Sequence, residues 1–164
     1  MNQVTNIVLG GLGGQGVLTA SDILADAAFR AGFDVKKSEL HGMSQRGGSV
    51  SSDVRYGRRV LSPMVPAGEA DFLLVLEPTQ VEVNRPVLRP GGMLINTDLI
   101  VEGMLKNKKS LNVAMLGALS AFLDIPEASW LEAIHARLAA KLHRLNDEAF
   151  AAGRKAADNL KTHA

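Results

Sequence analysis

A run of glycines between an apolar segment and an amphipathic segment constrains the fold of this chain more than any other feature. Val4–Leu9 is a short apolar run of the kind that is buried in a parallel sheet. Gly10–Gly16 interrupts it, and Val17–Ala31 then carries apolar residues close to the helical period. Gly32 is well placed as the C-terminal cap of that helix. The order of strand, glycine turn and helix predicts the start of an α/β fold.

The rest of the chain alternates between strand and helix patterns. We predict a Rossmann-like open, mainly parallel sheet with helices on both faces, in a single domain over residues 1–164. The second strand should complete a βαβ unit with a right-handed crossover. The further predicted strands are Phe33–Ser38, Ser49–Tyr56 with a return through Arg59–Leu61 after a turn at Gly57, Asp71–Leu76, and Met93–Asn96 after a turn at Arg89–Gly92. The further predicted helices are Pro78 to about Arg85, Ser110–Leu123, Ala128–Leu145 and Asp147–Leu160.

Composition excludes several classes of protein. The formal net charge is +1 and 46% of residues are apolar, so neither nucleic acid nor an anionic membrane surface is an expected partner. The chain contains no cysteine, which removes disulfides, cysteine-bound zinc and a protein-held iron–sulfur cluster. No basic leader precedes an apolar stretch, and no apolar run approaches the roughly 20 residues of a membrane helix. We therefore expect a cytoplasmic protein that holds no metal.

The glycine segment satisfies the pattern G-x-G-x-x-G through Gly11, Gly13 and Gly16, with Gly14 and Gln15 between them. Glycines allow a tight turn and close backbone approach, and the N-terminus of the following helix presents unpaired N–H groups to an anion. The same glycines would also suit a turn that only needs positive φ and close packing. A nicotinamide dinucleotide site is a third possibility, because Glu39 follows Gly16 by 23 residues and an acid near that spacing binds the ribose.

Glu39–Gly48 is predicted to be a polar loop at the carboxyl edge of the sheet, beside the glycine turn. Arg46 could hold a phosphate or carboxylate with two hydrogen bonds. His41 could be an acid, a base or a hydrogen-bond anchor, and a role in structure or at an interface is the other interpretation. His135 and His143 are expected to be solvated on one surface helix, and His163 lies in the C-terminal tail.

Two segments together carry a more specific signal than either alone. The stretches GLGGQGVLTAS (Gly11–Ser21) and SELHGMSQRGGSV (Ser38–Val50) resemble the gamma-type subunits of 2-oxoacid:ferredoxin oxidoreductases, and most closely the beta subunit of the indolepyruvate type. Further matching segments are Ser62-Pro63 with Pro66, Gly68–Asp71, Glu77-Pro78, Pro90–Gly92 and Asn112–Ser120 (NVAMLGALS). The resemblance therefore spans nearly the whole chain.

The resemblance implies an accessory subunit that is inactive alone. The complete enzyme would oxidatively decarboxylate a 2-oxoacid on thiamine diphosphate, transfer the acyl group to coenzyme A and pass electrons to ferredoxin. A large partner subunit would hold thiamine diphosphate, magnesium and the iron–sulfur clusters, and a homodimer of this chain is a further expectation. His41 and Arg46 are the catalytic candidates, and coenzyme A is the expected co-substrate. The expected cofactor-binding residues are Gly11, Gly13, Gly14, Gln15, Gly16, Glu39, Gln45, Arg46, Gly47 and Gly48.

One segment departs from the family pattern. Such subunits carry a longer segment with another strand between Asn96 and Asn112, where this sequence has only fifteen residues. Either that element is lost or part of the chain is missing from the sequence. Two alternatives to the accessory subunit stay open at this point. They are a stand-alone dinucleotide-binding oxidoreductase that uses Glu39, and a nucleotide-sensing or scaffold domain.

Overall fold

Five strands form one sheet in the computed structural model, which describes residues 3–41 and 47–162. Their order across the sheet is β2-β3-β1-β4-β5. Among these strands only β3 runs against the others, so the α/β fold with a mainly parallel set of strands is confirmed. The strands are β1 (Val4–Leu12), β2 (Asp34–His41), β3 (Ser49–Gly57), β4 (Ala70–Val75) and β5 (Leu88–Ile95).

The predicted helical regions are present, with different bounds. The α-helices of the described residues are α1 (Val17–Arg30), α2 (Val81–Asn84), α3 (Leu111–Ser120), α4 (Glu127–Arg137), α5 (His143–Ala156) and α6 (Asp158–Lys161). Short 3-10 turns lie at Pro78–Gln80, Arg85–Val87, Thr97–Leu99, Lys108–Ser110 and Ala140–Leu142. Gly32 has φ of 94°, and the N–H groups of Gly32 and Phe33 donate to the carbonyls of Phe29 and Ala28. This double hydrogen bond closes α1, as predicted.

The strand next to β1 is β3, whereas the simple βαβ unit predicted from the sequence would place β2 there. β3 pairs with β1 from Val4↔Gly57 to Leu12↔Ser49 and with β2 from Asp34↔Gly57 to His41↔Val50. β2 therefore runs in the same direction as β1 but lies one strand farther out. The physical reason is that β2 and β3 are consecutive and antiparallel, so a short connection lets β3 fold back between them.

Several predicted element boundaries were wrong. β1 continues through Gly10 and Gly11 to Leu12, because β3 supplies hydrogen-bonding partners along that whole length. Glu39–His41 belong to β2 and not to a loop, for the same reason. Arg59–Leu61 forms no strand, and the N–H of Val60 instead donates to the carboxylate of Asp34. Arg89–Gly92 lies inside β5, as an irregularity in its pairing with β4.

The helix predicted over Ala128–Leu145 is interrupted at Leu138. Leu138 is extended, with φ of −114°, so α4 ends at Arg137 and the chain turns back into α5. His135 and His143 are consequently on different helices, with stacked rings whose centroids are 4.2 Å apart. The Nε2 of His135 lies 2.8 Å from the carboxylate of Asp147. The prediction that both histidines lie on one surface helix was therefore wrong, although His135 is exposed as expected, and His163 lies outside the described residues.

The two faces of the sheet are covered differently. Apolar side chains of β1, β3 and β4 pack against α1, α3, α4 and α5 on one face, in a core that includes Ile7, Val54, Leu74, Leu116 and Trp130. The other face has a smaller cluster around Val8, Leu73 and Val75, covered by Val81 and Val87 of the short helical segments after β4. Burial of apolar residues on both faces stabilises the central strands β1 and β4.

α3 and α5 cross with almost no space between their backbones. A Cβ on Gly117 would overlap with the carbonyl oxygen of Phe150, and one on Gly153 would overlap with the carbonyl oxygen of Ala114. This close approach buries α3, in which every residue from Asn112 to Ser120 is buried. It also fixes the N-terminal end of α3 beside the glycine turn.

Candidate functional site

The glycine turn proper consists of residues 13–16, between the end of β1 and the first residue of α1. Gly14 and Gly16 have φ of 89° and 83°, a left-handed conformation in which a Cβ is strained. Gly16 is the N-cap of α1, and it carries no side chain that could cap the helix. These two positions are where the turn requires glycine for its backbone conformation.

The side chain of Gln15 stabilises the turn through hydrogen bonds within the chain. Its Oε1 accepts a hydrogen bond from the N–H of Leu12 at 2.7 Å, and its Nε2 donates to Oε2 of Glu77 at 2.7 Å. Gly11 makes room for this arrangement, because a Cβ there would lie 2.9 Å from Oε1 of Gln15 and 2.8 Å from Cγ2 of Val17. Both ends of the Gln15 amide are thus engaged within the chain. Gln15 positions the turn, and Gly11 serves packing.

The N-terminus of α1 is open to an anion. The first intrahelical hydrogen bond is donated by Ala20 to the carbonyl of Gly16, so the N–H groups of Val17, Leu18 and Thr19 have no partner within the helix. The helix dipole adds partial positive charge at this end. A cleft of about 450 Å³ lies over it, lined by Leu12–Gly14, Gly16–Thr19 and Val50. That volume is within the range of small-molecule sites.

A second cleft, of about 490 Å³, lies on the other side of the turn. It is lined by Gly14–Gly16 and Leu76 on one side and by Lys108, Lys109, Leu111 and Asn112 on the other. The two lysines belong to the 3-10 turn that leads into α3, so this cleft places two cations beside the N-termini of two helices. This combination favours a phosphorylated or otherwise anionic ligand.

Asn112 connects α3 to the glycine turn. Its Nδ2 donates to the carbonyl of Gly16 at 3.2 Å, and a Cβ on Gly16 would overlap with this same nitrogen. Sequence reasoning about the site missed Lys108, Lys109, Asn112 and Glu77. For Asn112 and Glu77 a signal existed, because both lie in short segments that carry the family resemblance. The two lysines have no such signal, since lysines before a helix are common.

The segment after β2 returns to the glycine turn, as predicted. The N–H of Gly13 donates to the carbonyl of Gly48 at 2.9 Å, and a Cβ on Gly13 would meet the nitrogen of Gly47 at 3.5 Å. Ser49 next continues into β3, where its hydroxyl donates to Oε1 of Gln80 at 2.6 Å. Gly47 and Gly48 therefore lie against the turn, and both glycine segments of the sequence contribute to one edge of the sheet.

Glu39 does not reach that edge. It is level with Ser52 in the pairing of β2 with β3, and Ser52 is level with Leu9 in the pairing of β3 with β1. Glu39 is thus two strands from β1 and well before the glycine turn. Its Oε1 lies 2.5 Å from Nζ of Lys37. The prediction that Glu39 lies in the loop beside the turn is wrong, because β3 separates β2 from β1.

Lys37 is the centre of a small charged group on β2. Its Nζ contacts Asp22 of α1 as well as Glu39. Partial burial alone would lower the pKa of Lys37, but the hydrogen bonds to Asp22 and Glu39 outweigh that effect and raise the pKa above its ordinary value. Lys37 and Asp22 therefore join β2 to α1, and Glu39 is a second carboxylate on the same ammonium group.

Three predicted site residues cannot be placed. Gln45 and Arg46 lie outside the described residues, and so does the side chain of His41. Within residues 3–41 and 47–162, no group of three or more histidine, aspartate or glutamate side chains could hold a metal ion. In the same part of the chain no helix is long and apolar enough to cross a membrane.

Comparison with known proteins places these features in a family. The family model described as pyruvate ferredoxin/flavodoxin oxidoreductase matches residues 6–103. Subunit IorB of the indolepyruvate oxidoreductase of Thermococcus kodakarensis is 49% identical over 89 residues, which cover 54% of this chain and 44% of the relative. The common gamma subunit of the pyruvate/ketoisovalerate oxidoreductases of Pyrococcus furiosus is 32% identical over 120 residues, covering 70% of this chain and 65% of the relative. The chain thus spans about half the length of the IorB relative and about two thirds of the gamma subunit.

Solved structures share the fold over nearly the whole chain. The gamma subunit of a keto/oxoacid ferredoxin oxidoreductase from Geobacter sulfurreducens matches with a TM-score of 0.79 and 22% identity, over 96% of this chain and 98% of that one. The 2-oxoglutarate:ferredoxin oxidoreductase of Magnetococcus marinus, solved with 2-oxoglutarate, coenzyme A and succinyl-CoA bound, matches with a TM-score of 0.83 and 24% identity. That match covers 97% of this chain and 32% of the other. Through the family match over residues 6–103, which contains the glycine turn and both strands beside it, the chain belongs to the pyruvate ferredoxin/flavodoxin oxidoreductase family.

Proposed function

We propose that this chain is the accessory, gamma-type subunit of a 2-oxoacid:ferredoxin oxidoreductase and supports a larger catalytic subunit. The observation that carries the proposal is the contact of Gly13 with Gly48, which joins the two glycine segments at one edge of the sheet beside an open helix N-terminus. Such an edge can bind an anion and face a partner. The residues described at this edge offer positioning and charge, and the chemistry would come from the partner.

The complete enzyme would convert a 2-oxoacid and coenzyme A to carbon dioxide and an acyl-CoA, with two electrons passing to ferredoxin. Thiamine diphosphate with magnesium would supply the decarboxylation, and iron–sulfur clusters would carry the electrons. The donor set of this chain does not fit these groups, since it contains no cysteine thiolate for a cluster and its described residues form no metal-binding group. The partner subunit would hold them, and ferredoxin would dock on the complex.

Coenzyme A is the ligand that we assign to the glycine turn. Its pyrophosphate would bind the N–H groups of Val17, Leu18 and Thr19, where the helix dipole favours negative charge. Gly14 leaves the approach open, since nothing lies within 4 Å of the position of a Cβ there. Lys108 and Lys109 would neutralise a phosphate in the adjoining cleft. The other residues expected at the cofactor site, Gln45, Arg46, Gly47 and Gly48, remain part of this proposal.

The 2-oxoacid is proposed to be of the indolepyruvate type. The support is the segment HGMSQRGG, which favours that type, and the 49% identity to a subunit that is named for indolepyruvate. Most of the contacts to the 2-oxoacid would lie in the partner. This chain would mainly bind coenzyme A, the acceptor of the acyl group. A single family domain over residues 1–164 and a cytoplasmic location belong to the same proposal.

The alternative of a nicotinamide dinucleotide site depended on Glu39, which lies away from the glycine turn. A nicotinamide dinucleotide fold needs an acid at the end of the strand next to β1, within reach of the ribose. Here β3 occupies that position, and Glu39 pairs with Lys37 instead. We therefore expect no tight binding of NADH to the isolated chain.

Calorimetric titration of coenzyme A tests the assignment, on the isolated chain and on the complex reconstituted with its large subunit. Replacing Lys108 and Lys109 together by alanine should weaken binding about thirtyfold, because each lost hydrogen bond costs on the order of 1 kcal/mol and two together cost on the order of 2 kcal/mol. Lys155→Ala, which removes an exposed lysine at the end of α5, is the matched control and should leave the affinity unchanged. Equal affinity of the double variant, the control and the wild type, in the chain and in the complex, would remove the assignment.

A further inference from the structure

A third cavity, of about 250 Å³, lies between the first turn of α1, the first turn of α3 and the corner that joins α4 to α5. It shares Thr19 with the cleft over the N-terminus of α1. It shares Lys109 and Asn112 with the cleft that contains both lysines. The three spaces are therefore adjacent, and one extended ligand can occupy both clefts and this cavity together.

The lining of this cavity combines apolar side chains with neutral polar ones. The apolar part consists of Val113 in α3 and of Leu138, Leu142 and Leu145 at the corner between α4 and α5. Among the described residues that line it there is no carboxylate, and the charged side chain is that of Lys109. Its volume is below the roughly 300 Å³ of complete small-molecule sites. The cavity thus suits one part of a larger ligand, an uncharged group with apolar faces and polar edges such as a nucleobase.

Asn146 supplies a buried hydrogen-bond acceptor to this cavity. The residue is only 6% exposed, although it belongs to the lining. Its Nδ2 donates to the carbonyl of Leu142 at 2.9 Å, and this bond fixes the orientation of the amide, because a carbonyl only accepts. Its Oδ1 accepts no hydrogen bond from the part of the chain that the structure describes. A buried amide oxygen without a protein donor favours a ligand that brings an N–H group of its own.

Adenine carries the group that this acceptor requires. Its exocyclic N6 amine is a donor, whereas guanine has an acceptor oxygen at the same position of the ring. A guanine in the same pose would place that oxygen against Oδ1 of Asn146, so two acceptors would face each other. Among the purines, the chemistry of Asn146 therefore favours adenine.

Lys109 lies where the cavity meets the anion cleft. No carboxylate within residues 3–41 and 47–162 pairs with it, whereas the Nζ of Lys106, three residues earlier, lies 2.9 Å from Glu148. An ammonium group without a carboxylate partner can bind a phosphate as a point charge. A ligand that uses both spaces thus joins an adenine base to phosphate groups.

We propose that this cavity binds the adenine base of coenzyme A, with Oδ1 of Asn146 accepting a hydrogen bond from the N6 amine and Lys109 beside a phosphate. The inference rests on the proposed function, because it names the part of coenzyme A that the chain recognises and the residue that selects it. The pyrophosphate lies at the N-terminus of α1. The pantetheine arm then extends away from the cavity, through the cleft that Leu12 and Val50 line.

Calorimetric titration with adenosine 3′,5′-bisphosphate, the nucleotide end of coenzyme A, and with its guanosine analogue tests the base, on the full chain and on its complex with the large subunit. The adenosine compound should bind the wild type about tenfold more tightly, because guanine places an acceptor against Asn146. Asn146→Ala should weaken the adenosine compound about fivefold and bring the two affinities close together. Asn159→Ala, at an exposed position of α6, is the control and should leave both affinities unchanged.

The ratio of the two affinities within one variant does not depend on the folded fraction, so it separates recognition of the base from stability. Equal affinities in the wild type, or a tenfold preference that persists in Asn146→Ala, would overturn the proposal. ADP that binds as tightly as coenzyme A would assign the cavity to a free adenine nucleotide and overturn it too. So would a loss of 4′-phosphopantetheine affinity in Asn146→Ala, which would assign the cavity to the pantetheine arm.

The failure of this inference differs from the failure of the proposed function. Coenzyme A that binds through Lys108 and Lys109 without any preference for adenine would remove the base site alone. Coenzyme A that binds neither the chain nor the complex would remove the assignment of coenzyme A and the base site with it.

Discussion

The side-chain amide of Gln15 donates a hydrogen bond to the carboxylate of Glu77, with 2.7 Å between Nε2 and Oε2. Glu77 is the second residue after β4, and Gln15 lies in the turn that follows β1, so the bond joins the ends of two parallel strands. Because Gln15 also accepts from the N–H of Leu12, one side chain determines the shape of the glycine turn. The open helix N-terminus depends on this arrangement.

Gln15→Ala should lower the free energy of unfolding of the chain by about 1 to 3 kcal/mol, since it leaves Leu12 and Glu77 without their partner. It should also weaken coenzyme A binding, although Gln15 itself is turned inward. Glu77→Gln keeps a hydrogen-bond acceptor for Gln15 and should cost much less. Chemical denaturation and the calorimetric titration measure the two effects. A Gln15→Ala chain with wild-type stability and affinity would contradict the positioning role.

Gly16→Ala should be more harmful than Gly14→Ala or Gly32→Ala. All three positions have positive φ, where alanine costs about 1 to 2 kcal/mol. Only at Gly16 would the added Cβ also overlap with Nδ2 of Asn112, whereas nothing lies within 4 Å at Gly14 or Gly32. Adding Asn112→Ala should therefore recover part of the loss in the Gly16→Ala chain, a coupling that thermal unfolding of the double variant would reveal.

Gly117→Ala and Gly153→Ala should each destabilise the chain by about 1 to 3 kcal/mol or more. In an open helix the same change stabilises by about 1 kcal/mol, so the sign of the effect reports the close crossing of α3 and α5. Ala151→Gly, at an exposed position of α5, is the control and should cost about 1 kcal/mol through helix propensity alone. Denaturant midpoints of the three variants make the comparison, and a stabilising Gly153→Ala would refute the packing.

Tyr56 makes a pH-dependent contribution to the free energy of unfolding. Burial and the hydrogen bond that its hydroxyl donates to Asp124 raise its pKa above the ordinary value of 10.0. Since the folded-state pKa is the higher one, the stabilisation is complete below pH 10 and is lost as the pH rises further. Tyr56→Phe should cost about 1 kcal/mol at pH 8, and this difference should shrink at pH 11. Urea denaturation at both values measures it, and a difference that is constant with pH would contradict the shift.

Local signals in the sequence predicted local structure well. The apolar run of β1, the period of α1 and the cap at Gly32 depend on neighbouring residues, and all three were correct. The position of β3 depends on pairing between strands that are distant along the chain, which periodicity does not encode. That single difference moved Glu39 from an expected ligand position to an ion pair with Lys37.

For the same reason, the sequence predicted the residues on only one side of the site. The glycine positions and the return of Gly47 and Gly48 to the turn followed from the motifs. The opposite wall, formed by Lys108, Lys109 and Asn112, lies at the start of a helix that is distant in the chain, and the bond between Asn112 and Gly16 spans 96 residues. Only the tertiary packing of α3 against α5 brings that wall into place.

Reconstitution with the large subunit tests the central proposal most directly. The chain should co-purify with a subunit that carries thiamine diphosphate and iron–sulfur clusters, and reduction of ferredoxin should require the 2-oxoacid, coenzyme A and both subunits. Each subunit alone should be inactive, and the Lys108/Lys109 double alanine variant should raise the KM for coenzyme A. A large subunit that reduces ferredoxin at the full coenzyme A-dependent rate without this chain would contradict the account.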